Sequence, residues 1–190
     1  MEHEYIENQL FNKGDFSLKP LPKGEYDQCT FKSCNFLNAD LSHIVFIDCI
    51  FSACDLSMAR LLKTSFQNVS FHDCKMMGMR FDHCNDFALE VSFDQCILSH
   101  TSFYNTRMRK TLFKNSVLSE ADFTECDATA ALFEECDLTR ATFDRSLLEM
   151  ADFRTSFNFS IDPEINRLKK AKFSMTGLSG LLEKYGLEIS

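Results

Sequence analysis

Hydrophobic residues recur every five positions along most of this chain of 190 residues. From Val91 to Thr155 the sequence divides without a gap into five-residue words. The third residue of each word is Phe, Leu or Met, except that Ala128 takes this place once. The first residue is small or β-branched, and the other three are mostly polar. A fixed short period of this kind is typical of a repeat architecture.

A period of five fits neither a strand nor a helix, whose side chains repeat every two and about 3.6 residues. We therefore expect a chain that runs briefly extended and then turns, so that four words close a square coil and the coils stack about 4.8 Å apart. Core residues should then match 20 positions apart. Two columns do so: Phe31, Phe51, Phe71, Phe93, Phe113, Phe133 and Phe153 form one, and Leu41, Leu61, Phe81, Phe103, Phe123 and Phe143 form the other.

Three segments follow from how regular the words are. Residues 1–23 hold weakened words and are expected to be a degenerate N-terminal cap, and residues 24–156 are expected to form the regular solenoid. Within it, residues 84–90 are seven where five belong, which predicts a bulge at a corner. This insertion is either simply tolerated or a kink that contacts a partner. Residues 157–190 are expected to be a C-terminal cap or dimerisation segment.

The C-terminal segment carries an apolar pattern of its own. Leu178, Leu181, Leu182 and Tyr185 have the spacing of one helix face, and Leu187 and Ile189 alternate with polar residues as in a short strand. The segment either caps its own solenoid or pairs two copies. Because it offers more apolar surface than one coil end needs, we expect a homodimer whose interface comprises Leu178, Leu181, Leu182, Tyr185, Leu187 and Ile189.

The words ADLSH, CDLSM, ADFTE, CDLTR and ADFRT resemble the pentapeptide repeat family over roughly residues 24–155. The resemblance implies an all-β fold, a right-handed quadrilateral parallel β-helix with a short C-terminal helix and strand. The chain is similar to the Qnr-type, MfpA-type and microcin-immunity members. That similarity implies a rod that mimics DNA, binds bacterial DNA gyrase or topoisomerase IV, and dimerises end to end. The large loops of many Qnr-type proteins are missing here.

Composition narrows the classes of function. The formal net charge of −8 argues against direct nucleic-acid binding, because nucleic-acid-binding domains are usually basic. No run of 18 apolar residues could span a membrane. The first ten residues are acidic and lack the apolar core of a secretory signal, so a cytoplasmic location is expected.

The nine cysteines all fall at the first position of a word, which should point inward: Cys29, Cys34, Cys49, Cys54, Cys74, Cys84, Cys96, Cys126 and Cys136. Free cysteine packs as a small hydrophobe, so we expect structural packing and neither a metal site nor a cofactor. A metal or redox protein built on these thiols is the outside alternative. An interior filled with Phe and Leu leaves no cleft, which argues against an enzyme.

Function is therefore expected on the exterior, where acidic residues cluster. Seven acids form a belt that we expect to bind a partner: Glu120, Asp122, Glu125, Asp127, Glu134, Glu135 and Asp137. A second group, Glu25, Asp27 and Asp48, lies on one face near the N-terminus. Both groups are either an ordinary solvated surface or a contact surface. The partner is either a type II topoisomerase or another protein bound by a pentapeptide-repeat scaffold.

Overall fold

Short extended runs alternate with left-handed corners throughout the chain in a computed structural model that describes residues 4–188. The fifth residue of nearly every word has a positive φ, as at Gln28 (51°), Ser33 (53°) and Ala53 (53°). Few of these residues are glycine, although only glycine adopts this conformation without steric cost. The stacking of successive coils must therefore impose the corners, and the chain turns every five residues as the pattern predicts.

Within residues 4–188, eleven parallel strands occupy two faces of the resulting four-sided solenoid. On the first face, the strand order is β1 (Glu4–Glu7), β3 (Gly24–Asp27), β5 (Val45–Ile47) and β7 (Ser65–Gln67). On the second face, it is β2 (Leu10–Asn12), β4 (Thr30–Lys32), β6 (Ile50–Ser52), β8 (Val69–His72), β9 (Val91–Asp94), β10 (Leu112–Lys114) and β11 (Leu132–Glu134).

The other two faces pair through single parallel bridges. The third face includes Asp15↔Asn35 and Ile97↔Val117, and the fourth includes Asp40↔Arg60 and Ser102↔Asp122. The first face continues beyond its last strand in the same way, through Arg107↔Asp127. Each residue therefore stacks on the residue 20 positions further along, or 22 positions where the insertion intervenes.

Two long columns of stacked phenylalanine rings run through the interior, and shorter aromatic stacks lie beside them, as with Phe46 and Phe66 or Phe16 and Phe36. In the column on the second face, Phe113 and Phe133 are nearly parallel, with ring centroids 4.9 Å apart and an interplanar angle of 4°. Phe71 and Phe93 remain stacked at 5.5 Å across the 22-residue step. The column on the fourth face meets these rings edge-on, as with Phe103 and Phe113. Both predicted columns are confirmed, and with them the parallel β-solenoid.

The first residue of a word is small and often polar because its side chain contacts a backbone carbonyl of the preceding coil. Thr64 Oγ1 donates a hydrogen bond to the Leu41 carbonyl at 2.8 Å, and Cys54 Sγ lies 3.3 Å from the Phe31 carbonyl. Buried carbonyls need such partners. The predicted inward position is confirmed for eight cysteines, which are buried, while Cys84 is half-buried. Burial raises the pKa of the Cys49 thiol to about 12, so the thiol remains neutral.

Residues 4–23, expected to be a degenerate cap, form one turn in register with the rest. Strand β1 pairs with β3, and β2 pairs with β4. The third-position residues Ile6 and Phe11 pack half-buried against the core, since no preceding coil covers them within the described part of the chain.

The insertion at residues 84–90 follows a 3-10 turn at Phe81–His83 and ends the sheet on the first face after β7. Its ends remain tied to that strand's coil. The Asn85 N–H donates to the Thr64 carbonyl at 2.9 Å, and the Glu90 N–H donates to the Phe66 carbonyl at 3.0 Å. The extra residues between these anchors bulge outward and carry Phe87, which is 73% exposed.

The C-terminal helix is shorter than its apolar spacing suggests. It comprises α1 (Ser179–Leu182) and a 3-10 turn at Glu183–Tyr185, which ends at Gly186 in the left-handed conformation (φ 61°). Leu187 and Glu188 are not part of a strand within the described residues. The expected short strand also includes the two residues that follow them, so it stays a prediction. Ile189 lies outside the described residues. No helix in the described range is long and apolar enough to cross a membrane.

Candidate partner-binding surfaces

The filled interior leaves the outer surface as the place for recognition. Buried Phe, Leu, Cys and Met side chains form one continuous core along the rod. Within residues 4–188, no three His, Cys, Asp or Glu side chains converge in a way that could hold a metal ion. The histidines at outward positions, His43, His72, His83 and His100, are all exposed. The candidate sites are therefore surfaces, and each is defined by its charge or its exposed apolar area.

The seven acids of the belt do not share one face. The word register places Glu120 and Asp137 on the third face, Asp122 and Glu125 on the fourth, Asp127 on the first, and Glu134 and Glu135 on the second. They therefore form a ring around the rod. A partner that approaches from one side meets only part of it.

Four of the seven belt acids are ion-paired to a cation in an adjacent coil. Glu120 pairs with Arg140, Glu125 with Arg145 (3.2 Å), Asp127 with Arg109 (2.5 Å) and Glu134 with Lys114 (3.2 Å). Glu120 also lies 3.3 Å from His100. Much of the belt's charge is therefore compensated within the molecule, and it links one coil to the next.

The belt acids were expected to be exposed, but Asp127 is buried, with only 8% of its surface accessible to solvent. Burial by itself raises the pKa of its carboxyl, but hydrogen bonds from Thr129 and Arg109 outweigh burial and hold the pKa below its ordinary value. Asp127 is thus a structural acid that joins two coils on the first face.

Three belt acids have no ion-pair partner within residues 4–188: Asp122, Glu135 and Asp137. Asp137 accepts hydrogen bonds from Thr139 and Asn158 and is half-buried. Glu135 alone of the three is fully exposed. Only a small part of the belt therefore offers a partner an exposed carboxylate that is not already ion-paired.

The acidic group near the N-terminus is larger than the sequence pattern indicated. Parallel pairing places Tyr5 beside Glu25 and Glu7 beside Asp27, so Glu4 and Glu7 join the three acids already identified. These five define the N-terminal acidic group: Glu4, Glu7, Glu25, Asp27 and Asp48. The two additional acids were missed because residues 1–23 were treated as a cap, although the same 20-residue step predicts their position.

The N-terminal acidic group lacks compensating cations. Within residues 4–188, none of its five members has a Lys, Arg or His nitrogen within 4.0 Å. Its hydrogen bonds come from neutral groups: Tyr5 Oη donates to Asp27 at 2.9 Å, and Asn68 Nδ2 donates to Asp48 at 2.6 Å. This surface therefore keeps its negative charge available.

The C-terminal segment presents a partly apolar surface. Leu178, Tyr185 and Leu187 are 38%, 51% and 59% exposed, whereas Leu181 packs against the solenoid's own core and Leu182 is half-buried. The Ile161 N–H donates to the Gly180 carbonyl at 2.9 Å and anchors α1 on the last coil. The structure thus brings the segment onto the rod's end and leaves part of its apolar face uncovered.

Polar contacts hold the end of this segment in place. Lys184 Nζ lies 2.6 Å from both Asp162 and Glu164, and Tyr185 Oη donates to Glu164 at 2.9 Å. A cavity of about 880 Å³ is lined both by residues of α1 and by the Phe157–Phe159 stretch. Leu182 and Leu187 line this cavity, whereas Leu178 and Tyr185 are not part of its lining.

A stack of five-residue words with a filled aromatic core defines the class of protein, a pentapeptide-repeat solenoid. The family model described as "Pentapeptide repeat region" matches residues 25–86 and 81–153. The chain therefore belongs to the pentapeptide repeat family.

Two known quinolone resistance proteins are similar to this chain, one in sequence and one in structure. The quinolone resistance pentapeptide repeat protein QnrB96 of Scandinavium goeteborgense is 35% identical over 82 residues, which span 40% of this chain and 36% of that protein. A trypsin-treated variant of QnrB1, described as a plasmid-mediated fluoroquinolone resistance protein, has a TM-score of 0.62 at 22% identity. That match covers 98% of this chain and 92% of QnrB1 and shows the shared fold.

Proposed function

We propose that this protein is a non-enzymatic solenoid that binds a bacterial type II topoisomerase, DNA gyrase or topoisomerase IV, and modulates or protects it. The similarity to a quinolone resistance protein supports this choice of partner. The observation that carries it is the N-terminal acidic group, a negatively charged surface without neighbouring cations, on a rod whose interior is filled. A site that normally receives the DNA phosphate backbone is positively charged and would attract this surface.

The N-terminal acidic group is the stronger candidate for the contact, ahead of the belt. An exposed carboxylate without a cation beside it exerts its full field on an approaching partner, whereas an ion-paired one does not. In the belt, Glu135 and Asp122 are the residues that could still contribute. Phe87 at the insertion adds an exposed aromatic side chain, a type enriched at protein interfaces.

We also propose that two copies join end to end through the C-terminal segment. Leu178, Tyr185 and Leu187 supply the outward apolar surface, while Leu181 and Leu182 mainly support the segment from below. Ile189, predicted to be part of this interface, stays a prediction. A dimer of rods with about seven coils each, spaced about 4.8 Å apart, would be about 70 Å long.

The average charge of such a dimer is lower than that of DNA. Twice the chain's net charge of −8 over about 70 Å gives one negative charge per about 4.4 Å, against about 1.7 Å for duplex DNA. Recognition would therefore depend on the local density of the N-terminal acidic group. In the dimer, the two copies of this group lie at opposite ends of the rod.

A gyrase supercoiling assay, with and without a fluoroquinolone, tests the proposal directly. We expect the wild-type protein to change supercoiling or to relieve inhibition by the drug. Reversing Glu7, Glu25 and Asp48 to Lys should abolish this effect. Reversing Glu120, Asp122 and Glu135, an equal number of exposed or half-exposed belt acids, should reduce it less. The opposite ranking would assign recognition to the belt.

The alternative is a scaffold that binds another, unidentified protein. The pentapeptide-repeat solenoid itself does not specify the chemistry of a partner. Absence of any effect on both gyrase and topoisomerase IV, with a protein shown to be folded and dimeric, would reject the topoisomerase proposal and leave this alternative.

A further inference from the structure

A groove with a volume of about 620 Å³ crosses the fourth face near the N-terminal half of the rod. Its floor is apolar and includes Met58, Leu61 and Leu62, and its rim includes His43, Arg60 and Arg80. Binding sites for small ligands and peptide side chains commonly have volumes of about 300–1,000 Å³ and a mainly apolar lining with a few polar groups. We call this feature the fourth-face groove.

One corner residue in the lining of the groove has no side chain, and this leaves room for Met58. Gly78 occupies a left-handed corner (φ 66°), where most other coils carry a side chain. The Met58 sulfur lies only 2.4 Å from where a Cβ on Gly78 would be, so Met58 lies over this gap. Met58 is 57% exposed and Leu62 is 53% exposed. Two large apolar side chains thus remain open to solvent in a concave setting.

The rim of the groove keeps positive charge although the whole chain is acidic. Asp40 lies 3.5 Å from Lys23, and Asp82 pairs with Arg80 at 2.6 Å. Arg60 and the adjacent Lys63 are exposed and have no acidic partner within ion-pair distance in the part of the chain that the structure describes. The fourth-face groove therefore has the opposite sign to the N-terminal acidic group.

We propose that the fourth-face groove binds a short acidic segment of a partner protein, with one Leu or Phe side chain seated on Met58 and Leu62. Carboxylates beside that anchor would meet Arg60 and Lys63, and Arg guanidinium groups bind carboxylates well because they can donate two parallel hydrogen bonds. The lining residues belong to four successive coils, so the groove extends about 14 Å along the rod, which matches about four residues of an extended peptide. This inference does not depend on the topoisomerase proposal.

A protein segment fits the groove better than a nucleic acid does. Single-stranded nucleic acids bind to cationic grooves whose aromatic side chains stack on the bases. The described residues that line the groove include no Phe, Tyr or Trp side chain, and its apolar floor is aliphatic and thioether. An aliphatic floor suits a Leu or Phe side chain, and the cations suit neighbouring carboxylates.

The test uses fluorescein-labelled peptides and fluorescence anisotropy with the full-length protein. We expect the peptide Asp-Asp-Leu-Phe-Asp-Asp to bind, with an affinity that falls as salt is added. Replacing its four Asp with Lys, or its Leu-Phe with Ser-Ser, should each weaken binding at least about tenfold, which corresponds to about 1.4 kcal/mol. Absence of binding by the acidic peptide, or equal binding of the acidic and the lysine peptides, would overturn the proposal.

Variants of exposed residues then locate the site without threatening the fold. Arg60→Glu and Leu62→Ser should each reduce peptide affinity about tenfold or more. Arg107→Glu, which removes an exposed cation on the first face, should leave affinity unchanged. Unchanged binding by Arg60→Glu and Leu62→Ser, with normal thermal unfolding, would place the peptide elsewhere. If labelled single-stranded DNA binds more tightly than the peptide and loses affinity in the same two variants, the groove is a nucleic-acid site and the proposal is wrong.

Discussion

The belt and the N-terminal acidic group have similar compositions but different electrostatic roles. In the belt, Arg145 and Lys114 lie one coil away from Glu125 and Glu134 and pair with them at 3.2 Å. In the N-terminal acidic group, Glu25 and its neighbours stack on other acids or on neutral residues, as where Glu25 pairs with Val45 in the sheet register. The first arrangement stabilises contacts between coils, whereas the second leaves a field available to a partner.

The contrast shows why the number of acids in a stretch of a solenoid is a poor guide to its surface charge. Residues adjacent in sequence point to different faces, and residues 20 apart lie about 4.8 Å from each other. The relevant neighbours of Glu125 are therefore Tyr104 and Arg145, not Asp122 or Asp127. Surface potential in this fold has to be evaluated along columns.

Deleting one acid from each region should separate the two roles most clearly. Asp127→Ala removes hydrogen bonds from Arg109 and Thr129 to a buried carboxylate, and we expect a loss of about 1–3 kcal/mol in the free energy of unfolding. Glu25→Ala removes no hydrogen bond from the described structure and should change stability by less than about 0.5 kcal/mol. Urea denaturation followed by circular dichroism measures both values. Equal losses would mean that the two regions are equivalent.

Two neighbouring acids of the belt should differ because of backbone geometry. Glu135 occupies a left-handed corner (φ 51°), while Glu134 lies in strand β11. Glu135→Val should cost about 1–2 kcal/mol, because a β-branched side chain clashes with the backbone at positive φ. Glu134→Val removes the same charge from a strand, where valine is favoured, together with the ion pair to Lys114, and should cost less than about 1 kcal/mol. Thermal unfolding of the two variants compares them, and a larger loss for Glu134→Val would contradict the corner argument.

The fold was predictable because the interior accepts few residue types. Columns such as Phe93, Phe113 and Phe133 repeat visibly in the sequence, and their stacking at 5.1 Å and 4.9 Å follows from the coil spacing. The left-handed corners were not predicted, since they carry Glu, Lys, Ala and Met in place of the glycine that normally marks them. Coil stacking imposes these corners, so local sequence carries no signal for them.

The candidate site was only partly predictable, for a different reason. The pairs Glu120–Arg140 and Glu125–Arg145 could have been identified, because opposite charges occupy the same word position 20 residues apart. Arg109 pairs with Asp127 across two different positions, 18 residues apart, and only the side-chain geometry reveals it. In the fourth-face groove, the position of Met58 depends on Gly78, which lies in the next coil and has no side chain.

Acid should weaken the belt through Asp127. Its pKa is lowered in the folded protein, so its carboxylate stabilises the fold fully above the ordinary value of 3.8 and loses that contribution as the pH falls through the lowered value. We expect wild-type stability to fall below about pH 4, and Asp127→Asn to flatten this part of the curve. Glu25→Gln should lose stability below about pH 4 as the wild type does, because Asp127 is intact. Urea midpoints measured at several pH values between neutral and strongly acidic provide the comparison.

The smallest expected effect concerns a single coil-to-coil ion pair of the belt. Lys114 Nζ lies 3.2 Å from Glu134, and both side chains are 38% exposed. A double-mutant cycle with Lys114→Met and Glu134→Gln should give a coupling of about 0.2–1 kcal/mol that diminishes with added salt, since surface ion pairs are weak and screened.

The matched cycle on the first face uses Glu25 and Val45, which are paired across β3 and β5 but carry no opposite charges. The variants Glu25→Gln and Val45→Thr should show a coupling near zero at low and at high salt. A salt-dependent coupling there, or none between Lys114 and Glu134, would mean that the ion pairs do not distinguish the two acidic regions. Their difference would then rest on the burial of Asp127 alone, and the exposed belt acids would have to be reconsidered as a contact surface equal to the N-terminal acidic group.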